Sequence, residues 1–306
     1  MKKSIAVFMG LMVLATTSFA KTAKKSGKIY NVYLITMDQM DQHWVHVNAG
    51  AKRAADELGN VNFKWSAPDI KDDNKQIECI NNAVAGGADA IMLAANGPTA
   101  VISALKEAAS EGIKIIYVDS PANFPAVQTL STDNKAAGNV AGNTMMKTLR
   151  KKGITSGEIG VISVNAATAS TVARDEGFRS AFTGSGYTVL VTQFCDGDAA
   201  RSKDAAANFI TQGCVAIFGT NEGSTVGIGN AVAEAGSNVI GVGFDNSDMI
   251  KNLINKGYLL ATMVQNPEVM GYEGMKSAVK ALKGEKVSPA VVDTGVSVQT
   301  KDHLIK

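Results

Sequence analysis

Aromatic residues are scarce in this chain, and several features of other protein classes are missing. Only 6% of the residues are aromatic, although 45% are hydrophobic. After the first twenty residues, no segment is long and apolar enough to span a bilayer core, which takes ~20 residues. The G-x-S-x-G and G-x-x-x-x-G-K-[ST] motifs are absent, and Gly227-Ile228-Gly229 lacks the third glycine of a dinucleotide-binding loop. We therefore predict that the protein is not an enzyme.

Excess charge is also missing. The chain has 30 Lys and Arg residues against 28 Asp and Glu residues, and Lys2 and Lys3 lie in a predicted export signal. Without those two lysines the charges balance, so nothing in the composition attracts nucleic acid or anionic lipid. The sequence predicts no nucleic-acid partner.

Metal-binding patterns are weak, and we predict no metal and no cofactor. His43 and His46 are three residues apart and close to Asp41, a spacing that can place two metal ligands on one helix face. His303, the remaining histidine, lies far along the chain, and no cysteine joins the group. A calcium loop with a D-x-D-x-D-G run and a distal Glu is also missing. The alternative to a metal site is one histidine in a cleft and one on the surface.

The N-terminal residues MKKSIAVFMGLMVLATTSFA resemble a cleavable export signal. Two lysines precede an apolar run of about eleven residues, and Ser18-Phe19-Ala20 forms a small-residue cleavage site. The first of the three cysteines is Cys79, so no cysteine stands at the cut to carry a lipid anchor. We predict cleavage after Ala20 and a soluble mature protein in the periplasm. Cys195 and Cys214 are predicted to be free, buried thiols.

Short apolar runs alternate with longer amphipathic stretches, which predicts an α/β fold with parallel sheets. The predicted strands are 29–36, 63–66, 90–94, 115–119, 158–165, 188–194, 216–220, 239–244, 259–264 and 291–298. About four β-α units lie within 29–119 and four more within 158–245. Two similar Rossmann-like lobes fit this repeat better than one sheet of nine or more strands. Residues that follow each strand would then line a cleft between the lobes.

Polar and charged residues follow these strands in unusual variety. Carboxylates and amides can bind hydroxyl groups, an arginine can donate two parallel hydrogen bonds, and an aromatic ring can cover the C–H face of a sugar. Helix caps and strand ends are ordinarily polar too, so each residue alone means little. As a set they predict a site for a neutral sugar or polyol. The candidate ligand-binding residues are Asp41, His43, Trp44, Asn96, Asp119, Arg174, Asn221, Asp245 and Gln265.

Five segments in order along the chain resemble type I periplasmic sugar-binding proteins, the ribose- and galactose-binding family that supplies ABC importers. The segments are STDN at 131–134, ARDEGF at 173–178, FGTNE at 218–222, GVGFD at 241–245 and ATMVQNP at 261–267. The resemblance implies a ligand closed between two lobes that three chain crossings connect. It places these crossings near 132–133, 265–266 and 293–294. The lobes would be 29–132 with 266–293, and 133–265 with 294–306, after a signal peptide at 1–20.

The same resemblance implies roles for single residues. Arg174 would bind ring or hydroxyl oxygens, and the aspartates and amides would bind hydroxyls, while His43 and Trp44 stand where the family has stacking aromatics. This chain departs from the pattern in three ways: Ser120 replaces a second arginine, His43 replaces a phenylalanine, and the asparagine after the third strand falls at Ala94 or Asn96. We expect Arg174 and Trp44 to contribute to ligand binding and little to stability, because an open cleft is wet.

The predicted function is capture of a small sugar or polyol for delivery to a membrane ABC permease. The alternative is another small polar solute, such as an autoinducer-2-type signal, and a chemoreceptor is a further candidate partner. We predict a monomer.

Overall fold

The computed structural model describes residues 28–304, which form two β-sheets flanked by helices. In chain order the elements are β1 (Tyr30–Ile35), α1 (Gln42–Leu58), β2 (Val61–Ser66), α2 (Asp73–Ala85), β3 (Ala90–Leu93), α3 (Ile102–Ser110), β4 (Lys114–Val118), β5 (Gln128–Ser131), α4 (Asn134–Lys151), β6 (Gly157–Ser163), α5 (Ala169–Ala181), β7 (Tyr187–Val189), β8 (Gln193–Phe194), α6 (Ala199–Thr211), β9 (Ala216–Gly219), α7 (Glu222–Ala235), β10 (Ile240–Phe244), α8 (Asp248–Asn255), β11 (Ala261–Gln265), α9 (Pro267–Leu282), β12 (Val291–Asp293), β13 (Val296–Thr300) and α10 (Lys301–Leu304). The export signal predicted at 1–20 lies outside the described residues.

Both sheets are parallel apart from one edge strand. The first has the spatial order β12-β5-β4-β3-β1-β2, and the second has the order β13-β11-β10-β9-β6-β7, with β8 also paired to β6. In the second sheet β13 runs antiparallel to β11. Below, lobe one means the first sheet with α1, α2, α3 and α9, and lobe two means the second sheet with the remaining helices.

Each sheet is covered by helices on both faces, as its apolar strands require. In lobe one, α1 and α9 pack on one face of the sheet, and α2 and α3 pack on the other. In lobe two, α4 and α5 cover one face, and α6, α7 and α8 cover the opposite face. Strands β3, β9 and β10 are buried along their whole length. Within residues 28–304, none of the helices combines the length and the apolar character that crossing a membrane requires.

Three sequence predictions about strands were incomplete or wrong. Strand β5 was missed because its sequence, QTLS, is short and polar; it forms because β4 and β12 pair with it on either side. The predicted strand 291–298 is two strands in different sheets, separated at Gly295, whose φ of 82° turns the chain. The predicted strand 188–194 is likewise divided between β7 and β8.

Three connections join the lobes, and they lie side by side. They run from β5 to α4, from β11 to α9 and from β12 to β13. The Asp133 backbone N–H donates to Asp293 Oδ1 (3.0 Å), and Asn266 Nδ2 donates to the Thr294 carbonyl (2.7 Å). Thr132 Oγ1 donates to Gln265 Oε1 (3.0 Å). Hydrogen bonds therefore join the three connections to one another.

Candidate functional site

The carboxyl ends of the two sets of strands face each other across a cleft between the lobes. Residues from both lobes line it: Met37, Asp41, His43, Trp44, Lys71, Asp119, Val164, Ser170, Thr171, Arg174, Asn221, Asp245 and Gln265. Few hydrogen bonds cross it. The His43 backbone N–H donates to Glu222 Oε2 (3.2 Å), and Thr168 Oγ1 donates to the Asn96 carbonyl (2.7 Å). The cleft is closed in this structure.

Two aspartates occupy equivalent positions in the two lobes. Asp119 follows β4 and Asp245 follows β10, and both adopt left-handed backbone conformations, with φ of 66° and 76°. Asparagine and aspartate tolerate this conformation better than other residues with a side chain. Each backbone N–H donates to the neighbouring strand, to the carbonyls of Leu130 and Met263. The turn directs both carboxylates into the cleft from opposite sides.

His43 lies between these two carboxylates. It sits in the first turn of α1 and is 7% exposed; its Nε2 is 3.1 Å from Asp119 Oδ2 and its Nδ1 is 3.4 Å from Asp245 Oδ1. The Asp119 contact is an ion pair without hydrogen-bond geometry. Burial disfavours the charged ring, but the two carboxylates outweigh it and raise the pKa of His43 to about 10. Despite its own burial, Asp245 has a pKa lowered to about 2 by His43 and Arg174.

Trp44 packs beside His43 but belongs largely to the protein core. The two rings meet edge to face, with centroids 4.7 Å apart. Trp44 is 4% exposed and joins the apolar cluster that lies between α1, α9 and the sheet. Its Nε1 is buried without a hydrogen-bond partner. Because Trp44 is buried, we expect its removal to leave a large cavity and to reduce stability, contrary to the expectation from the sequence.

Arg174 is anchored by its own lobe. Its Nε donates to Asn134 Oδ1 (2.7 Å), Nη1 to the Thr220 carbonyl (2.9 Å) and Nη2 to Gln265 Oε1 (2.7 Å). The guanidinium also stacks on the Phe244 ring at 4.3 Å, and Nη2 is 3.7 Å from Asp119 Oδ2. These contacts hold the guanidinium at the cleft wall, so we expect the removal of Arg174 also to reduce stability, contrary to the expectation from the sequence.

Lys71 and Glu222 are cleft residues that the sequence interpretation missed. Lys71 precedes α2, its side chain is 7% exposed, and it forms ion pairs with both Asp38 and Asp41. Glu222 begins α7 and accepts a hydrogen bond from lobe one through His43. Burial and the nearby carboxylates of Asp41 and Asp245 raise its pKa to about 7. Burial likewise raises the pKa of Asp41 to about 6, with Lys71 opposing and Asp38 adding to the effect.

Eight of the nine predicted ligand-binding residues line the central cavity of this cleft, whereas Asn96 lies outside that cavity and meets the other lobe only through its carbonyl, which accepts from Thr168. The Asn96 side chain donates instead to Asp73 Oδ1 (2.6 Å), and its backbone N–H donates to Gln76 Oε1. Asn96 therefore supports the loop after β3. Asn221 caps α7 through Oδ1, while its Nδ2 is buried with no acceptor.

Histidine spacing does not produce a metal cluster in residues 28–304, where no group of three or more His, Cys, Asp or Glu has metal-ligand geometry. His46 turns away from the cleft, with Nδ1 3.7 Å from Glu268 Oε1. The three cysteines are free: Cys195 and Cys214 are buried, and Cys79 is half-buried.

Charge is concentrated here. Within residues 28–304, the charged residues that are buried almost completely all lie in or directly behind the cleft: Asp38, His43, Asp119, Arg174, Glu222 and Asp245. Burying a charged group is costly unless it is paired with an opposite charge. Six such groups in one cleft therefore mark it as the candidate functional site.

Comparison with known proteins agrees with this geometry. The chain is 30% identical over 291 residues to the ribose import binding protein of Haemophilus influenzae, covering 94% of each chain. It is 27% identical to the D-allose-binding periplasmic protein of Escherichia coli, again covering 94% of each. A carbohydrate transporter solute binding protein of Agrobacterium radiobacter, solved with D-arabinose, superposes with a TM-score of 0.86 at 30% identity, covering 90% of this chain and 96% of that one.

An ABC transporter solute binding protein of Agrobacterium vitis, solved with D-fucose, gives a TM-score of 0.84 at 28% identity, covering 90% of this chain and 97% of that one. The family described as periplasmic binding protein domain matches residues 32–286. The sequence resemblance implied this architecture: two sheets joined by three adjacent connections, with buried polar groups facing each other between them. The chain belongs to this family of periplasmic binding proteins.

Proposed function

We propose that this protein is an exported solute-binding protein that captures a small sugar or polyol between its lobes and delivers it to a membrane ABC permease. The observation that carries the proposal is the convergence of buried ionisable and amide side chains from both lobes on one cleft. Family membership supports the same function, because relatives are described as import binding proteins for ribose and for D-apiose.

The chemistry of the cleft suits hydroxyl groups. Asp119 and Asp245 can accept hydrogen bonds from them, Asn221 and Arg174 can donate to their oxygens, and Trp44 offers an apolar face. These groups come from opposite lobes. A ligand that contacts both sides stabilises the closed form, and closure in turn removes the ligand from water.

The three connections are the proposed hinge. We place lobe boundaries at 29–132 with 266–293 and at 133–265 with 294–306, so that each crossing contributes one or two residues to the bend. The proposed protein is a monomer in the periplasm that carries out no catalysis. Besides the permease, a chemoreceptor is a second candidate partner. The bound sugar or polyol is released to the permease chemically unchanged.

A thermal-shift panel of pentoses, hexoses, polyols and a furanose-like signal of the autoinducer-2 type tests the proposal. A ligand that binds the folded protein raises its melting temperature. The added free energy of unfolding grows with the ratio of ligand concentration to Kd and is ~2.7 kcal/mol at a hundredfold excess. At least one sugar or polyol should stabilise the protein. A response to the signal alone would favour the alternative solute, and no response to any member of the panel would overturn the proposal.

A further inference from the structure

The cleft holds more carboxylates than cations. Five carboxyl groups lie in it or directly behind it: Asp38, Asp41, Asp119, Glu222 and Asp245. The cationic side chains there are Lys71, Arg174 and His43. Buried carboxylates need a cation or several donors nearby, so how these three cations are paired limits what the ligand can be.

Two of the cations are already engaged. Lys71 pairs with Asp38 and Asp41, so its ammonium group lies against these two carboxylates. Arg174 directs its hydrogen bonds to a carbonyl and two amide oxygens, and its closest cleft carboxylate, Asp119, is 3.7 Å away. His43 is therefore the one cation lying directly between Asp119 and Asp245. Among residues 28–304, Glu222 forms no ion pair and accepts only backbone N–H groups.

The His43 ring fills the space between Asp119 and Asp245 at the centre of the cleft. With the ring in place, the cavity among the cleft residues is about 20 Å³, enough for about one water molecule. A second cavity of about 360 Å³ shares His43, Asp245 and Gln265 with the cleft and is otherwise lined by residues that include His46 and Glu268. A rotation of the side chain into this cavity would free the cleft. It would also remove the cation between Asp119 and Asp245, leaving Asp119 with Arg174 Nη2 at 3.7 Å and Asp245 with the hydrogen bond from Gln265 Nε2 (2.7 Å).

Two buried donors point to a second property of the ligand. Asn221 Nδ2 and Trp44 Nε1 have no acceptor, and both residues line the cleft and are more than nine-tenths buried. Leaving a buried N–H unpaired is unfavourable, so a ligand that supplies oxygen atoms there is favoured. Hydroxyl oxygens of a sugar or polyol accept such bonds.

We propose that the ligand is an amino sugar or amino polyol whose ammonium group replaces the His43 ring between Asp119 and Asp245. Its hydroxyl oxygens accept from the unpaired donors of Asn221 and Trp44. A neutral sugar supplies the hydroxyls but not the charge, and an N-acetylated sugar has the nitrogen without the charge. This inference rests on the proposed function and narrows its ligand class.

Calorimetric titration at pH 6, where the amine is protonated, tests the inference. The probes are D-glucosamine, D-galactosamine and D-mannosamine, each compared with its parent hexose and its N-acetyl derivative. At least one amino sugar should bind at least tenfold more tightly than both of its uncharged counterparts. Asp245→Asn should reduce that ratio at least threefold whatever it does to affinity, while Asp89→Asn, half-buried beside Lys28 and outside the cleft, should leave the ratio unchanged.

The outcomes separate the two proposals. Uncharged sugars that bind as tightly as the amino sugars, or more tightly, would overturn the inference and leave the proposed function standing. A preference for the amino sugar that Asp245→Asn does not reduce would also overturn the inference, because the ammonium group would then bind at another place. If neither these probes nor the wider sugar and polyol panel binds, both proposals fail.

Discussion

At the scale of single residues, we expect the proposed ligand-binding residues also to stabilise the protein without a ligand. Arg174 is 2% exposed and donates three short hydrogen bonds within lobe two. Arg174→Ala should therefore weaken ligand binding by ~2–4 kcal/mol and also reduce the free energy of unfolding by about 1–3 kcal/mol, because it strands buried acceptors. Calorimetry and denaturant unfolding measure the two effects.

Arg179, one turn further along α5, is the matched control. It pairs with Asp175 and donates to the carbonyls of Val189 and Leu190, away from the cleft. Arg179→Ala should reduce stability and leave ligand affinity unchanged. Unchanged affinity in Arg174→Ala as well would mean that the guanidinium has only a structural role.

His43 gives the folded protein a pH dependence. Its pKa is about 10 in the folded state, against about 6.5 in an unfolded chain, so its stabilising contribution is complete below pH 6.5 and is lost as pH rises towards 10. The unfolding free energy of the native protein should exceed that of His43→Gln by several kcal/mol at pH 7, and the difference should shrink by pH 10. Unfolding in denaturant at intervals between these pH values measures it.

Below pH 7, titration of Glu222 also changes the stability of the protein, so the effect of His43 is measured above pH 7. Burial raises the pKa of Glu222 to about 7, so ionising this group disfavours the folded state as pH rises from about 4.5 to 7. His46→Gln is the control, since His46 lies on the same helix but is about half exposed. A His43→Gln difference that stays constant from pH 7 to pH 10 would contradict the ion-pair assignment.

At the scale of elements, each lobe brings its site helix close to a helix that follows a hinge connection. A Cβ on Gly177 of α5 would lie 1.9 Å from the Lys135 carbonyl of α4, and one on Gly271 of α9 would lie 1.9 Å from the Val47 carbonyl of α1. Helix α5 carries Arg174, and α1 carries His43 and Trp44. Only glycine permits these two crossings, so close backbone contacts position the helices that carry Arg174, His43 and Trp44.

Gly177→Ala should force α4 and α5 apart and displace Arg174, which lies one turn away. We expect a loss of ~1–3 kcal/mol in stability, as for other overpacked sites, together with weaker ligand binding. Ala136→Gly on the exposed face of α4 is the control: its lower helix propensity costs up to ~1 kcal/mol without moving α5. Melting curves and calorimetry distinguish them, and wild-type affinity in Gly177→Ala would contradict the positioning role.

Sequence patterns predicted most of these elements, and the failures share a cause. Apolar strands such as β3 and β10 are recognisable because burial on both faces requires continuous apolar residues. Strand β5 is polar and exists through its neighbours, which no local pattern reveals. Lys71 was missed for the same reason: its partners Asp38 and Asp41 are thirty residues earlier, and only the pairing of β1 with β2 brings them together.

Glu222 and the central ion pairs show the same limit in the site. The position of Asn221 directly after β9 was enough to predict it at the cleft. The contact between Glu222 and His43, in contrast, joins residues 179 positions apart and depends on how the lobes meet. The resemblance to a family predicted nine ligand-binding positions, eight of which line the central cavity of the cleft. It could not reveal that the His43 ring would lie between Asp119 and Asp245, since that depends on a histidine that the family pattern does not have there.

At the scale of the whole molecule, few hydrogen bonds hold the cleft shut. Besides the contacts of His43 and Thr168, the Asp248 N–H donates to Gln42 Oε1 (3.1 Å) and the Ser170 N–H to Ser120 Oγ (3.4 Å). We expect the ligand-free protein to open about the three connections and the bound protein to be compact. Small-angle scattering should show a smaller radius of gyration with saturating ligand, and identical curves would count against hinge closure.

The central claim is that one ligand contacts both lobes in the cleft. Asp119 and Asp245 test it most directly, because they occupy equivalent turns on opposite lobes and lie 3.1 Å and 3.4 Å from the same histidine ring. Calorimetric titration of Asp119→Asn and Asp245→Asn with a sugar or amino sugar that binds the native protein should give at least a tenfold loss of affinity in each. Asp89→Asn, outside the cleft, should bind normally. Native affinity in both cleft variants would contradict the claim.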